Sequence, residues 1–187
     1  RYWRDWSSDV CSSDLAFPGV RELVRTLHHE GVALGVVTSK RRVGALRGLR
    51  RMGLEPLFGA VVAADDVERP KPHPQPVLQA LELLGSDAAS AVFIGDSTHD
   101  MESGRAAGVR TGAALWGPFS REALAVHEPT WWFEHPGDLI DVLLVFIFSD
   151  APDHDSAPHT GEGVVVGVQL NVELLSNVFT ARTVILA

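Results

Sequence analysis

The sequence predicts an α/β domain built on a doubly wound parallel sheet. Short branched apolar runs alternate with amphipathic stretches at helical period. The runs Val32-Ala33-Leu34-Gly35-Val36-Val37 and Ala91-Val92-Phe93-Ile94 carry no alternating polar residues, as strands covered on both faces do. The amphipathic stretches close on glycines, the residue that most easily ends a helix.

In chain order, Pro18 to Glu30 reads as a helix, with Pro18 near its first position and Gly31 just past its end. Val20, Leu23, Val24 and Leu27 share one face. Strand 32–37 follows. Arg41 to Met52 is a second helix, apolar at Val43, Leu46 and Leu49 and ended by Gly53. Ala60 to Ala64 is a strand that leads into Asp65-Asp66. Pro74 to Leu84 is a helix, apolar at Val77, Leu78, Leu81 and Leu84, ended by Gly85. Strand 91–95 precedes a helix over 99–107 that Gly108 stops. Thr111 to Leu115 is a further strand and Trp131-Trp132-Phe133 a short edge strand. A last helix runs from Pro136 to about Phe148.

Composition narrows the function. A chain of 187 residues suffices for one domain with a sizeable core. The net charge of −8 opposes nonspecific nucleic-acid binding. The one cysteine, Cys11, rules out a disulfide framework. The N-terminal stretch lacks the apolar centre of a secretory signal. The longest apolar run, Val142 to Phe148, is too short to span a bilayer. A cytoplasmic enzyme domain is expected, with no membrane or nucleic-acid partner and an oligomeric state left open.

The chemistry concentrates in Gly95-Asp96-Ser97-Thr98-His99-Asp100. A carboxylate at the end of a buried strand faces the ligand crevice of an open sheet. A second, four residues on, can face the same point. Such a pair suits Mg²⁺, which takes oxygen ligands and keeps waters and a substrate phosphate. Taken alone, the pattern also suits Asp96 as a helix N-cap with Asp100 a solvated first-turn acid. Two upstream features favour the metal. Strand 32–37 ends in Thr38-Ser39-Lys40, a hydroxyl followed by backbone N–H groups that open a helix, as at a phosphate site. Arg69-Pro70-Lys71-Pro72-His73-Pro74 holds a lysine between prolines, a stiff mount for a point charge.

The order of hydroxyl, lysine and acidic pair resembles the haloacid dehalogenase superfamily, closest to its phosphoglycolate phosphatase and pyrophosphatase-like branch. Thr38 stands at the family's second motif, Lys71 in RPKPHP at the third, and Asp96 with Asp100 in GDSTHD at the fourth. Phe17-Pro18-Gly19-Val20-Arg21-Glu22-Leu23 is similar to the segment that re-enters the core after the family's helical cap. The resemblance covers roughly residues 16 to 144. It implies a Rossmann-like core and a Mg²⁺-dependent phosphatase of a small phosphorylated metabolite, 2-phosphoglycolate first among them. It also implies a two-step transfer through an aspartyl-phosphate. Asp96 would ligate the metal directly and Asp100 would hold a water or the loop. Lys71 would neutralise the transferring phosphoryl group. Thr38, with Ser39, would bind phosphate oxygens.

The family's first motif, DxDGT, whose first Asp is the nucleophile, is absent, and so is the cap. The resemblance therefore implies a chain truncated before that motif, without its first strand, and inactive as it stands. Residues 1–15 have no regular period, repeat Ser-Ser-Asp and resemble translated adapter sequence, so they are set apart as a non-native leader. Asp9 and Asp14 there follow no apolar strand and have no acidic residue two positions on. Residues 16–148 form the core fragment, and 149–187 a polar linker with a tail of unassigned origin.

Other features read as ordinary surface. Lys40, Arg41, Arg42, Arg47, Arg50 and Arg51 are the solvated side of a helix, although Lys40 and Arg41 could lean toward a phosphate. Asp65 and Asp66 cap a loop or orient Lys71. His99 is a loop histidine rather than a ligand of Mg²⁺, His73 shapes the Lys71 loop, and Trp116, Trp131 and Trp132 are packing residues. A noncatalytic phosphate- or Mg²⁺-binding remnant, or a partner-binding module, is the competing function. A receiver domain uses similar residues in the opposite chain order.

Without the first strand, the strands ending at Thr38 and Asp96 would face each other across about 10 Å, twice the usual spacing. Unpaired backbone groups at about 1–3 kcal/mol each would then exceed a stability of about 5–15 kcal/mol. Instability is the expectation unless the two strands close up and pair directly or another segment fills the slot. The candidates are the leader around Val10 and the tail runs Val164-Val165-Val166 and Val184-Ile185-Leu186, with the tail favoured.

Overall fold

The structure, a computed structural model, describes residues 17–140, 142 and 183–187. Its sheet is parallel throughout, with six strands in the order β2-β1-β6-β3-β4-β5. They are β1 Ala33–Val37, β2 Ala60–Val62, β3 Ala91–Gly95, β4 Arg110–Ala114, β5 Trp131–Phe133 and β6 Thr183–Leu186. The helices are α1 Val20–His29, α2 Arg42–Met52, α3 Gln75–Leu84, α4 Thr98–Ala106 and α5 Arg121–Ala125. Another helix starts at residue 136 and is described to residue 140 and again at 142. Its expected continuation to Phe148 lies outside the described residues, as do the leader, the linker and the run Val164-Val165-Val166.

Side-chain alternation along the strands builds two cores, one on each face of the sheet. On one face Leu34, Val92, Ile94 and Val184 pack with Leu23, Val24 and Leu27 of α1, Leu49 of α2, and Leu139. On the other, Val37, Phe93 and Ile185 pack with Val77, Ala80 and Leu81 of α3. The doubly wound expectation holds.

The central slot is filled by the tail. β6 pairs on one side with β1, Leu34 opposite Val184, and on the other with β3, Val92 opposite Val184. Its last amide, Ala187 N–H, donates to the Ile94 carbonyl at 2.9 Å. Val184 and Ile185 are fully buried, each contributing about 1.5–3 kcal/mol by burial. The gap that predicted unpaired strands is thus closed by the run 184–186.

Several boundaries and faces differ from the sequence reading. α1 begins at Val20, because Gly19 at φ 90° is its N-cap and Pro18 lies in the preceding turn. Val43 is 70% exposed, since Ala45 and Leu49 carry the buried face of α2. Leu78 is likewise exposed, while Pro76 and Ala80 turn inward beside Val77 and Leu81. β2 stops at Val62, and Ala64–Asp66 forms a 3-10 turn instead of continuing the strand. The five-residue α5, capped by the Ser120 hydroxyl, was not anticipated.

Candidate active site

Four predicted residues gather at the carboxyl edge of the sheet. Thr38 follows β1, Asp96 follows β3, Asp100 lies in the first turn of α4, and Lys71 reaches in from the proline-rich loop. This convergence follows from topology: parallel strands all deliver their ends to one side.

Lys71 and Asp100 form the buried centre. Lys71 Nζ donates to Asp100 Oδ1 at 2.6 Å and to the Val37 carbonyl at 3.2 Å. The two side chains are only 7% and 3% exposed. The ammonium also lies 5.8 Å from the centre of the Phe93 ring. Of its three N–H donors, two have partners here, which leaves one for a ligand. Asp100 is equally committed. Its Oδ2 accepts from the Ser97 amide at 3.0 Å and the Ser97 hydroxyl at 2.6 Å. The Asp100 amide donates back to Ser97 Oγ at 3.3 Å. Ser97, not Asp96, is therefore the N-cap of α4, and Asp100 closes a reciprocal capping box. Asp100 is not a solvated acid. It anchors the loop and Lys71, and both of its oxygens are engaged.

Asp96 lies in the opposite state. It is half-buried, and burial pushes its carboxyl above the usual carboxylate range. The negative charge of Asp100 adds to the rise, and Lys71 offsets only part of it. Lys71 leaves part of that rise uncompensated, and a hard divalent cation would supply the remaining counter-charge. On that ground the chemistry of the site would fit Mg²⁺, with the Asp96 oxygens the ones left to offer it. Among the described residues no third His, Cys, Asp or Glu joins the pair.

The hydroxyl side of the site is held through backbone. The Thr38 amide donates to the Val62 carbonyl at 2.9 Å, and Thr38 Oγ1 accepts from the Lys40 amide at 3.2 Å. The hydroxyl proton is thereby left to donate. Ser39 and Lys40 are exposed. Thr38, Lys40 and Asp96 share a cavity of about 320 Å³ whose deeper walls are apolar, including Leu49, Met52 and Trp116. Asp65 and Asp66 do not orient Lys71. Asp65 Oδ1 accepts from the Arg42 amide at 2.7 Å, Asp66 Oδ1 from Arg42 Nε at 2.7 Å, and Asp66 Oδ2 from the Ala63 amide at 2.8 Å. His99 is exposed at the start of α4. His73 does shape the Lys71 loop: its Nδ1 accepts from the Gln75 amide at 3.1 Å, and its carbonyl accepts from the Ser103 hydroxyl at 2.8 Å.

Three contributors escaped the sequence reading. Ser97 was legible as the first residue of a Ser-x-x-Asp capping pattern. Ser103 and Gly117 had no such signal, because their partners lie 30 and 21 positions away (103 − 73 and 117 − 96).

Known proteins resemble this chain in sequence and in fold. The haloacid dehalogenase-like hydrolase family matches residues 1–114. A pyrophosphatase, PpaX, of Bacillus pumilus is 43% identical over 124 residues, which are 66% of this chain and 57% of that protein. The PpaX of Anoxybacillus flavithermus is 39% identical over 124 residues, covering 66% and 58%. Among solved structures, a protein assigned as a phosphoglycolate phosphatase from Lactobacillus plantarum superposes with a TM-score of 0.62 at 32% identity, covering 67% of this chain and 59% of that one. One assigned as a β-phosphoglucomutase from Thermotoga maritima gives 0.64 at 28%, covering 69% and 60%. The chain thus spans less than two thirds of the length of these curated relatives. No described helix is long and apolar enough to cross a membrane. The chain belongs to the haloacid dehalogenase-like hydrolase family.

Proposed function

We propose that the whole protein is a Mg²⁺-dependent phosphohydrolase of a small phosphorylated metabolite, working in the cytoplasm. The observation that carries this reading is the cavity shared by Thr38, Lys40 and Asp96, with Lys71 held at the same sheet edge by Asp100 and the Val37 carbonyl. Asp96 would hold the cation, which supplies Lewis-acid polarisation of a phosphate oxygen. The Thr38 hydroxyl donates to a second phosphate oxygen, assisted by Ser39, and the spare Lys71 N–H to a third. Lys71 brings its charge to the phosphoryl group without reorganisation, because Asp100 and the Val37 carbonyl already fix it. The relatives named pyrophosphatase and phosphoglycolate phosphatase support a phosphate-bearing substrate. Of these, 2-phosphoglycolate is the first to test and inorganic diphosphate the second.

Residues 1–187 would carry the electrostatic clamp without the attacking carboxylate. A second reading for this chain is a phosphate- and Mg²⁺-binding unit without turnover, which the free Thr38 hydroxyl proton and Asp96 beside one cavity support. Turnover of p-nitrophenyl phosphate, 2-phosphoglycolate and diphosphate by the full-length protein, with Mg²⁺ and with EDTA, tests the first reading. Hydrolysis of none of them would overturn it. Calorimetric binding of orthophosphate to residues 1–187 tests the second.

A further inference from the structure

Beyond β4, Leu115-Trp116-Gly117-Pro118 carries the chain along the carboxyl edge toward α5. The Leu115 amide fastens the start of this loop to the Phe133 carbonyl at 2.9 Å. Trp116 lines the same cavity as Thr38, Lys40 and Asp96. The next residue lies directly against the Asp96 side chain. A Cβ on residue 117 would stand 2.6 Å from Asp96 Cγ, and closer still to its Cβ and Oδ2. Side chains do not pack at such separations. Gly117 is not among the glycines with positive φ, so its backbone could be adopted by any residue. What demands glycine here is the carboxylate.

We propose that Gly117 is a positioning residue for the divalent cation: its bare backbone covers one face of Asp96, whose carboxylate lines the cavity. This rests on the reading of Asp96 as metal ligand. The consequence is directional. A cation on Asp96 would present its remaining coordination positions to the space shared with Thr38 and Lys40, where a phosphate oxygen would enter. Gly95 plays the matching part for Asp100, since a Cβ there would lie 2.6 Å from Asp100 Cγ. The two carboxylates are thus each set by a glycine, one from the adjoining strand and one from a distant loop.

Mg²⁺ titration of the 1–187 chain by calorimetry, paired with thermal unfolding without metal, tests this. Gly117→Ala should weaken Mg²⁺ at least tenfold while a cooperative transition remains, and Pro118→Ala in the same loop should bind within twofold of wild type. Equal affinities in wild type and Gly117→Ala would overturn the inference and leave the metal reading standing. Equal weakening by Pro118→Ala would overturn it too, by assigning the effect to the loop as a whole. Wild type that binds no Mg²⁺ would remove both. Should Gly117→Ala fail to fold, Asp96→Gly in that background makes room for the new methyl. Recovery of the transition then supports the contact, and no recovery refutes it.

Discussion

Asp96 and Asp100 stand four positions apart and meet opposite fates. Asp100 has a buried ammonium on one oxygen and an N-cap serine on the other. Asp96 is pressed between β3 and a glycine, and neither supplies a counter-charge. The first carboxylate is structural, and its charge is part of the fold. The second has no such pair and is left ready for a ligand, and burial makes its charge a cost to the fold. Each state follows from what the main chain does next: α4 begins directly at Ser97 and captures Asp100, while Asp96 precedes the cap and is left at the strand end.

The largest expected effect comes from breaking the structural half. Lys71→Met leaves Asp100 buried without its partner, and removing one member of such a pair costs about 3–5 kcal/mol. Urea unfolding at pH 7 should show that loss. The double variant Lys71→Met/Asp100→Leu should recover most of it, because no orphaned charge remains. A single variant as stable as wild type would show that Asp100 finds compensation elsewhere.

The ready half should respond in the reverse sense. A carboxyl whose pKa is raised in the fold binds more protons folded than unfolded. Stability therefore falls as pH rises past the ordinary carboxylate range. Asp96→Asn removes that penalty, so the metal-free variant should be at least as stable as wild type at pH 7, with the difference vanishing below about pH 4. Mg²⁺ at about a hundred times its dissociation constant should stabilise wild type by about 2.7 kcal/mol and leave Asp96→Asn unmoved. Asp100→Asn, which removes the charge that Lys71 pairs with, should weaken Mg²⁺ less than Asp96→Asn does. The reverse ranking by calorimetry would exchange the two roles.

How much of this was legible depends on sequence separation. The strand ending in Gly95-Asp96 and the lysine between prolines were readable because each motif is local. The Lys71–Asp100 pair joins positions 29 apart, so only the order of motifs hinted at it. Faces of α2 and α3 were misread at Val43 and Leu78 because a single apolar residue on a helix edge can stay in water at little cost. The occupant of the central slot could be narrowed to three runs but not chosen, since any short branched apolar run can pair between two parallel strands. β6 fits by its alternation, with Val184 toward α1 and Ile185 toward α3.

A smaller effect probes the cap that separates the two carboxylates. Ser97→Ala removes one donor from Asp100 Oδ2 and the acceptor for the Asp100 amide. N-cap losses run near 1 kcal/mol. Because Lys71 still holds Oδ1, the Lys71 contact should survive, and Mg²⁺ affinity should change less than twofold. A tenfold loss of Mg²⁺ with that same small stability change would mean that Ser97 acts on the metal side rather than the structural side.

The smallest effect serves as a control of opposite sign. Asp66 lies in the 3-10 turn after β2, where the Arg42 hydrogen bond, aided by the Ala63 amide, holds its carboxyl below the usual range. A carboxyl lowered in the fold contributes stability that is complete above its unfolded value and lost as pH falls through the folded one. Arg42 is largely solvated, so the contribution belongs with surface ion pairs at about 0–1 kcal/mol. Asp66→Asn should therefore be slightly less stable than wild type at pH 7 and converge on it as the pH drops below about 4. Asp96→Asn should converge over the same range from the other side. Thermal midpoints of both variants between pH 3 and 7 would show the two differences with opposite signs. Two differences of the same sign would mean that net charge, rather than the local partner of each carboxylate, governs the acid response of this fold.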